Sequence, residues 1–139
     1  MSMTAIARPT ADGLRHEIDV NGRHVLVTDE PLSLGGTDEG PAPHELLAAT
    51  LASCISTMIA LYATRHDWRL DGLSVEVDYD NDATPRRFDI RVNLPAGLTD
   101  DQVKRLRRVA DTCPVRRALE AGFVFDEQIV LGSPDLRAA

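Results

Sequence analysis

Two side chains in this sequence carry the chemistry of a thiol pair: Cys54 and Cys113, the two cysteines of a 139-residue chain. Cys54 lies in the middle of Pro43–His66, where the nineteen residues from Leu46 to Thr64 include no charged side chain. Such a stretch predicts a long helix enclosed on nearly every side. Cys113 opens the run Cys113-Pro114-Val115. If Thr112 or Cys113 is the N-cap and Pro114 the first helical residue, the thiol sits at a helix N-terminus. The partial positive charge there favours thiolate, and Arg116 and Arg117 in the first turn would add to it if they point inward. The ordinary alternative, a small inert buried residue, applies to each cysteine taken alone.

Glu45 opens the central helix, nine residues before Cys54. At about 3.6 residues per turn the two side chains face opposite ways, roughly 13 Å apart along the axis. If both serve one site, either the helix starts after Glu45 or a second subunit supplies one of them. Ala48, Ala52, Ser56 and Ala60 recur every fourth position, a smooth stripe against which another helix can come close. The plain reading of Glu45 is a first-turn carboxylate favoured by the helix dipole. His16, His24, His44 and His66 are scattered without metal-ligand spacing, so no metal is expected. Lys104, Arg105, Arg107 and Arg108 form a basic run that reads as a solvated helix face. No Gly-rich phosphate loop and no Ser-His-Asp arrangement is present.

The elements that must position these groups follow from periodicity. His16–Val20, Asn21-Gly22 and Arg23–Thr28 read as a β-hairpin, because Asn-Gly tolerates positive φ in a tight turn. Asp29-Glu30-Pro31 stops the second strand, and a Gly-rich loop leads to Pro43. Leu73, Val75, Val77 and Tyr79 alternate with polar residues, as do Phe88, Ile90, Val92 and Leu94, which predicts an antiparallel pair with one buried face. Thr99-Asp100-Asp101-Gln102 is a capping box that starts a helix to about Asp111. A short helix from Pro114 stops before Gly122, and Phe123–Leu131 reads as a last strand. The order is ββαββααβ, an α+β class. Residues 1–13 read as a flexible lead-in, 14–131 as the domain and 132–139 as a tail.

One domain of this length can bury a real core. A net charge of -7 and a pI near 5.0 argue against nucleic acid as partner. The central helix is long enough to span a membrane. Its Thr50, Ser53, Ser56, Thr57 and Thr64, and the lack of a basic cluster at one end, favour a core helix and no membrane. The N-terminus shows no basic region followed by an apolar run, so a cytoplasmic location is expected. In that reducing compartment two cysteines read as reactive rather than as a permanent staple.

Gly40-Pro41-Ala42-Pro43-His44-Glu45-Leu46-Leu47, followed by Ala52-Ser53-Cys54, resembles the signature of the OsmC/Ohr family (osmotically inducible protein C and organic hydroperoxide resistance proteins). Asp111-Thr112-Cys113-Pro114-Val115-Arg116-Arg117-Ala118-Leu119 is similar to its second block. The resemblance covers about residues 14–131 and leans to the broad OsmC-like subgroup through Asp29-Glu30-Pro31 and Gly35-Gly36. It implies an OsmC-like fold, antiparallel sheets around a long central helix, in an intertwined homodimer with each site at the subunit interface. It further implies a thiol peroxidase of oxidative stress defence that reduces organic hydroperoxides, and hydrogen peroxide less well, with no cofactor. By the match, Cys54 is the peroxidatic thiolate that becomes a sulfenic acid, and Cys113 resolves it to a disulfide that a dithiol reductant reopens. Glu45 orients an arginine beside Cys54. The loop from Leu34 to Pro43 holds no arginine, which leaves Arg8, Arg15 and Arg23, or Arg116, where many relatives carry histidine. The rival is a non-catalytic dimer of the same fold that holds a small hydrophobic ligand in its interface pocket. A third reading makes the two cysteines a structural disulfide only.

Overall fold

The computed structural model describes residues 2–11 and 13–132. Three strands come first: β1 (Ala5–Pro9), β2 (His16–Val20) and β3 (His24–Thr28). A short 3-10 turn, Leu32–Leu34, precedes α1 (Pro43–Arg65), and β4 (Ser74–Asp80), β5 (Arg87–Asn93), α2 (Asp100–Asp111) and α3 (Pro114–Ala121) complete the order. The α+β class is as expected. The order is βββαββαα rather than ββαββααβ, and both differences lie at the ends.

The first is β1, inside the stretch read as a lead-in. Its sequence, AIARP, has no apolar alternation to announce a strand. It becomes one by pairing antiparallel with β2, from Ala5 opposite Val20 to Pro9 opposite His16. A proline is tolerated there because β1 is an edge strand. The second is Phe123–Leu131, which carries no strand. Its apolar side chains stand in the open, with Val124 90%, Phe125 87% and Ile129 93% exposed. A strand needs a partner edge, and this segment pairs with none of the chain's strands. From residue 133 onward the expected tail lies outside the described residues.

β2 and β3 form the expected hairpin through Asn21–Arg23, with positive φ at Asn21 (54°) and Gly22 (68°). The Asp19 carboxylate accepts the Gly22 N–H at 2.7 Å and fixes the turn. The strands of this sheet pack chiefly on one another, while β4 and β5 pack with α2 and α3 around α1. Leu51, Ile55, Ile59 and Ala63, one residue per turn of α1, are the buried stripe. Leu106, Ala110 and Cys113 close on it from α2 and the start of α3. α1 is thus enclosed on one side, not on nearly every side: Leu47, Leu61 and Ala60 are exposed, and Ala48, Ala52 and Ser56 only half-buried. By length and hydropathy the helix is apolar enough to cross a bilayer. Its buried stripe nevertheless faces protein, as a core helix requires.

The first sheet is tied to α1 through Asp29, which is 1% exposed. Its carboxylate accepts the Glu30 N–H at 2.8 Å, the Thr37 hydroxyl at 2.6 Å and the Glu39 N–H at 3.1 Å. Its own N–H donates to the Pro41 carbonyl at 3.1 Å, two residues before α1. The loop folds so tightly on this carboxylate that a Cβ at Gly36 would lie 1.9 Å from the Glu30 carbonyl oxygen. The Thr37 hydroxyl, helped by the backbone N–H groups and opposed by burial, holds the Asp29 carboxyl down to about 2.

Ile59 is fully buried, so Ile59→Ala is expected to cost about 2–5 kcal/mol in denaturant unfolding. An unchanged midpoint would contradict the core described here. Because the Asp29 carboxyl ionises more readily in the fold than at the ordinary value of 3.8, it stabilises above that pH and loses this as pH falls through about 2. Thermal melts across this acid window are expected to show a steeper fall for the natural chain than for Asp29→Asn. Parallel acid limbs would remove Asp29 from this role.

Candidate active site

Cys54 comes from the middle of α1, one turn past Leu51, and is half-buried. Cys113 comes from the joint between α2 and α3 and is 0% exposed. It is the N-cap of α3, its Sγ accepting the Arg116 N–H at 3.4 Å, with Pro114 as the first helical residue. The capping-box start of α2 sets this joint. The Thr99 hydroxyl accepts the Gln102 N–H at 3.1 Å, and the Gln102 side chain accepts the Thr99 N–H at 2.9 Å. α2 then packs Leu106 and Ala110 on α1, which delivers Cys113 to Cys54.

The two sulfurs are neighbours. The Cys113 side chain and the Val115 backbone both lie close enough to act on the Cys54 sulfur. Both are free thiols. Burial pushes the Cys54 thiol up, the Cys113 sulfur pushes it further, and the Val115 N–H pulls it back in part. In this single chain Cys54 therefore rests as a neutral thiol.

Glu45 does not reach this pair. Its carboxylate turns back and accepts the Ala42 N–H at 3.0 Å, capping its own helix. The candidate arginines are dispersed. Arg15 pairs with Glu39 at 3.3 Å, on the loop before α1. Arg23 is exposed at the hairpin turn. Arg8 lies in β1. Arg116 stands beside the sulfurs, its side chain between Asp111 (3.0 Å) and Glu120 (2.9 Å). Glu120 above all, then Asp111 and Cys113, hold its guanidinium charged against partial burial. Sequence reasoning named Arg116 but not the two carboxylates that fix it. The i,i+4 spacing of Arg116 and Glu120 was the available signal. The Val115 N–H was also missed, since a backbone donor leaves no mark on residue type.

The OsmC-like protein profile matches residues 36–128. The chain belongs to the OsmC-like family. This OsmC-like protein is 30% identical to a Psychrobacter arcticus protein named for osmotic stress induction and detoxification response, with a TM-score of 0.69 over 84% of this chain and 87% of that one. It is 26% identical to the Legionella pneumophila organic hydroperoxide resistance protein OsmC, at a TM-score of 0.57 over 86% and 89% of the two chains. An organic hydroperoxide resistance protein from Elizabethkingia anophelis, 21% identical, shares the fold at a TM-score of 0.58 over 84% and 86%. Among curated proteins none matches the chain. Family and solved relatives together point to organic hydroperoxide resistance.

Since the Cys113 sulfur helps keep Cys54 protonated, Cys113→Ala is expected to move the pH profile of Cys54 alkylation by iodoacetamide to lower pH. A profile that Cys113→Ala leaves in place would break the link between the two sulfurs.

Proposed function

We propose that this protein is a thiol-dependent peroxidase for organic hydroperoxides, with hydrogen peroxide a poorer substrate, acting in oxidative stress defence. The observation that carries the reading is the contact between Cys54 and Cys113, one half-buried and reachable, the other fully buried behind it. The Cys54 sulfur attacks the outer peroxide oxygen. The O–O bond breaks, the alcohol leaves with a proton, and Cys54 becomes a sulfenic acid. The Cys113 sulfur then attacks the Cys54 sulfur, water departs, and a disulfide joins α1 to the start of α3. A dithiol reductant restores both thiols.

Attack needs the Cys54 thiolate, and the single chain leaves that thiol neutral. A cation must come close. Arg116 is the arginine whose charge is coupled to the pair, through Cys113. Arg15 and Arg23 lie on the first sheet, which within one chain packs on little besides itself, so they can act only on a second copy. Glu45, on the side of α1 away from Cys54, is in the same position. We therefore assign a homodimer, in which one copy's Glu45 and Arg15 or Arg23 serve its partner's Cys54. The half-buried Ala48, Ala52 and Ser56, the open face of the first sheet, and the bare apolar segment Phe123–Leu131 support this assembly.

The test is intact mass spectrometry of the reduced protein after seconds with cumene hydroperoxide, beside hydrogen peroxide and a Cys54→Ser variant. The expected result is loss of two hydrogens per chain, faster with the organic peroxide and absent in the variant. A native spectrum of the same sample is expected at twice the chain mass. An unchanged mass after many minutes would sink the peroxidase, and a monomer would sink the shared site.

A further inference from the structure

Two reduced sulfurs held side by side are metal ligands as well as a redox couple. Cys54 and Cys113 are both free, and the Cys113 side chain lies close enough to act on the Cys54 sulfur. They arrive from separate elements, one from the middle of α1 and one from the cap of α3. The same core fixes both: Cys113 is 0% exposed within it, and Cys54 packs against it. Packing therefore sets the pair in advance, so closing on an ion costs little ordering.

The surroundings of the sulfurs decide which ion fits. Among the described residues no group of three or more His, Cys, Asp or Glu side chains could hold a metal. Zinc, calcium and iron–sulfur clusters all need more than two protein ligands. Asp111 and Glu120, which flank Cys113 in sequence, are engaged by Arg116 at 3.0 and 2.9 Å and are not spare oxygen ligands. Two sulfurs alone suit a soft cation that accepts linear coordination, and thiolates select Cu(I).

Charge points the same way. Cu(I) displaces the proton of each thiol, so the bis-thiolate complex carries a single negative charge. That is no more than the lone thiolate which attack on a peroxide requires at this spot. The Arg116 N–H, 3.4 Å from the Cys113 sulfur, and the positive end of α3 favour it.

We infer that the reduced Cys54–Cys113 pair binds one exchangeable Cu(I) per chain through its two sulfurs, a second activity of the same thiols. No electron is transferred: two S–H bonds break, two Cu–S bonds form, and both protons pass to solvent. Copper binding rests on the contact between the sulfurs and not on peroxide chemistry. A chain that holds Cu(I) and leaves cumene hydroperoxide intact would keep this inference and remove the peroxidase, and the reverse result would do the opposite.

Anaerobic transfer of Cu(I) from the coloured chelator bicinchoninate to the reduced, full-length protein tests this. Uptake of one ion per chain is expected, with X-ray absorption at the copper edge reading two sulfur ligands. Cys54→Ser and Cys113→Ser are each expected to weaken uptake by more than about 100-fold, beyond the cost of losing an outer-shell partner. Natural protein oxidised by diamide to the disulfide is expected to take up none until it is reduced again, an arm that does not depend on how a variant folds. Zn(II), offered at one ion per chain against a zinc-binding dye, is expected to stay on the dye. Bound Cu(I) is also expected to shield Cys54 from iodoacetamide. No transfer, uptake that survives loss of either cysteine, zinc held as tightly as copper, or more than two ligands at the ion would each overturn the proposal.

Discussion

Everything in this structure leans on the burial of one stripe of α1. Leu51, Ile55 and Ile59 are nearly or wholly inaccessible, and they are the surface on which β4, α2 and the start of α3 assemble. Each such side chain contributes roughly 1.5–3 kcal/mol by leaving water. That burial fixes where α2 ends and so where Cys113 stands. Cys54, one turn from Leu51 and one residue before Ile55, borders the same stripe. The sulfur pair is therefore a by-product of core packing: two residues distant in sequence meet because the elements carrying them share one apolar seam.

The electrostatics of that seam cut against easy reactivity. Burial disfavours a charged sulfur, and the second thiol adds to the penalty. The backbone of helix α3 acts on both sulfurs: the Arg116 N–H goes to Cys113, and the Val115 backbone lies close enough to act on Cys54. Such donors favour negative charge without bringing a mobile ion. Arg116 is close, but Asp111 and Glu120 hold most of its charge in local pairs. The single chain thus presents a thiol pair in place and an incomplete field around it. This is the physical ground for placing the missing cation on another copy.

Asp29 plays the corresponding part for the first sheet. A carboxylate with almost no access to water persists because it accepts hydrogen bonds from Glu30, Thr37 and Glu39. Those bonds draw the loop back onto the end of β3 and carry Arg15, through Glu39, toward the start of α1. The first sheet then projects with an uncovered face beside a similarly uncovered side of α1. Both surfaces leave apolar side chains exposed, Val25 and Leu26 on the sheet and Leu47 and Leu61 on α1.

Local signals in the sequence determined what local chemistry can determine. Asn21-Gly22 specified the hairpin because few other pairs accept two positive φ angles. Thr99 and Gln102 specified the start of α2 by satisfying each other's backbone groups. Cys113-Pro114 specified a helix N-terminus with a sulfur as its cap. The alternation in β4 and β5 specified which faces are buried, and the opposite facing of Glu45 and Cys54 followed from helix geometry alone. Tertiary structure decided the rest. Ala5–Pro9 is a strand because β2 offers it an edge, and Phe123–Leu131 is none because it pairs with no strand of this chain. Asp29, which reads in sequence as a strand terminator, became the buried tie of a loop. Arg116, not the arginines of the first sheet, came to stand beside the sulfurs. In each case the outcome depends on which groups the fold brings together, and residue type alone does not carry that.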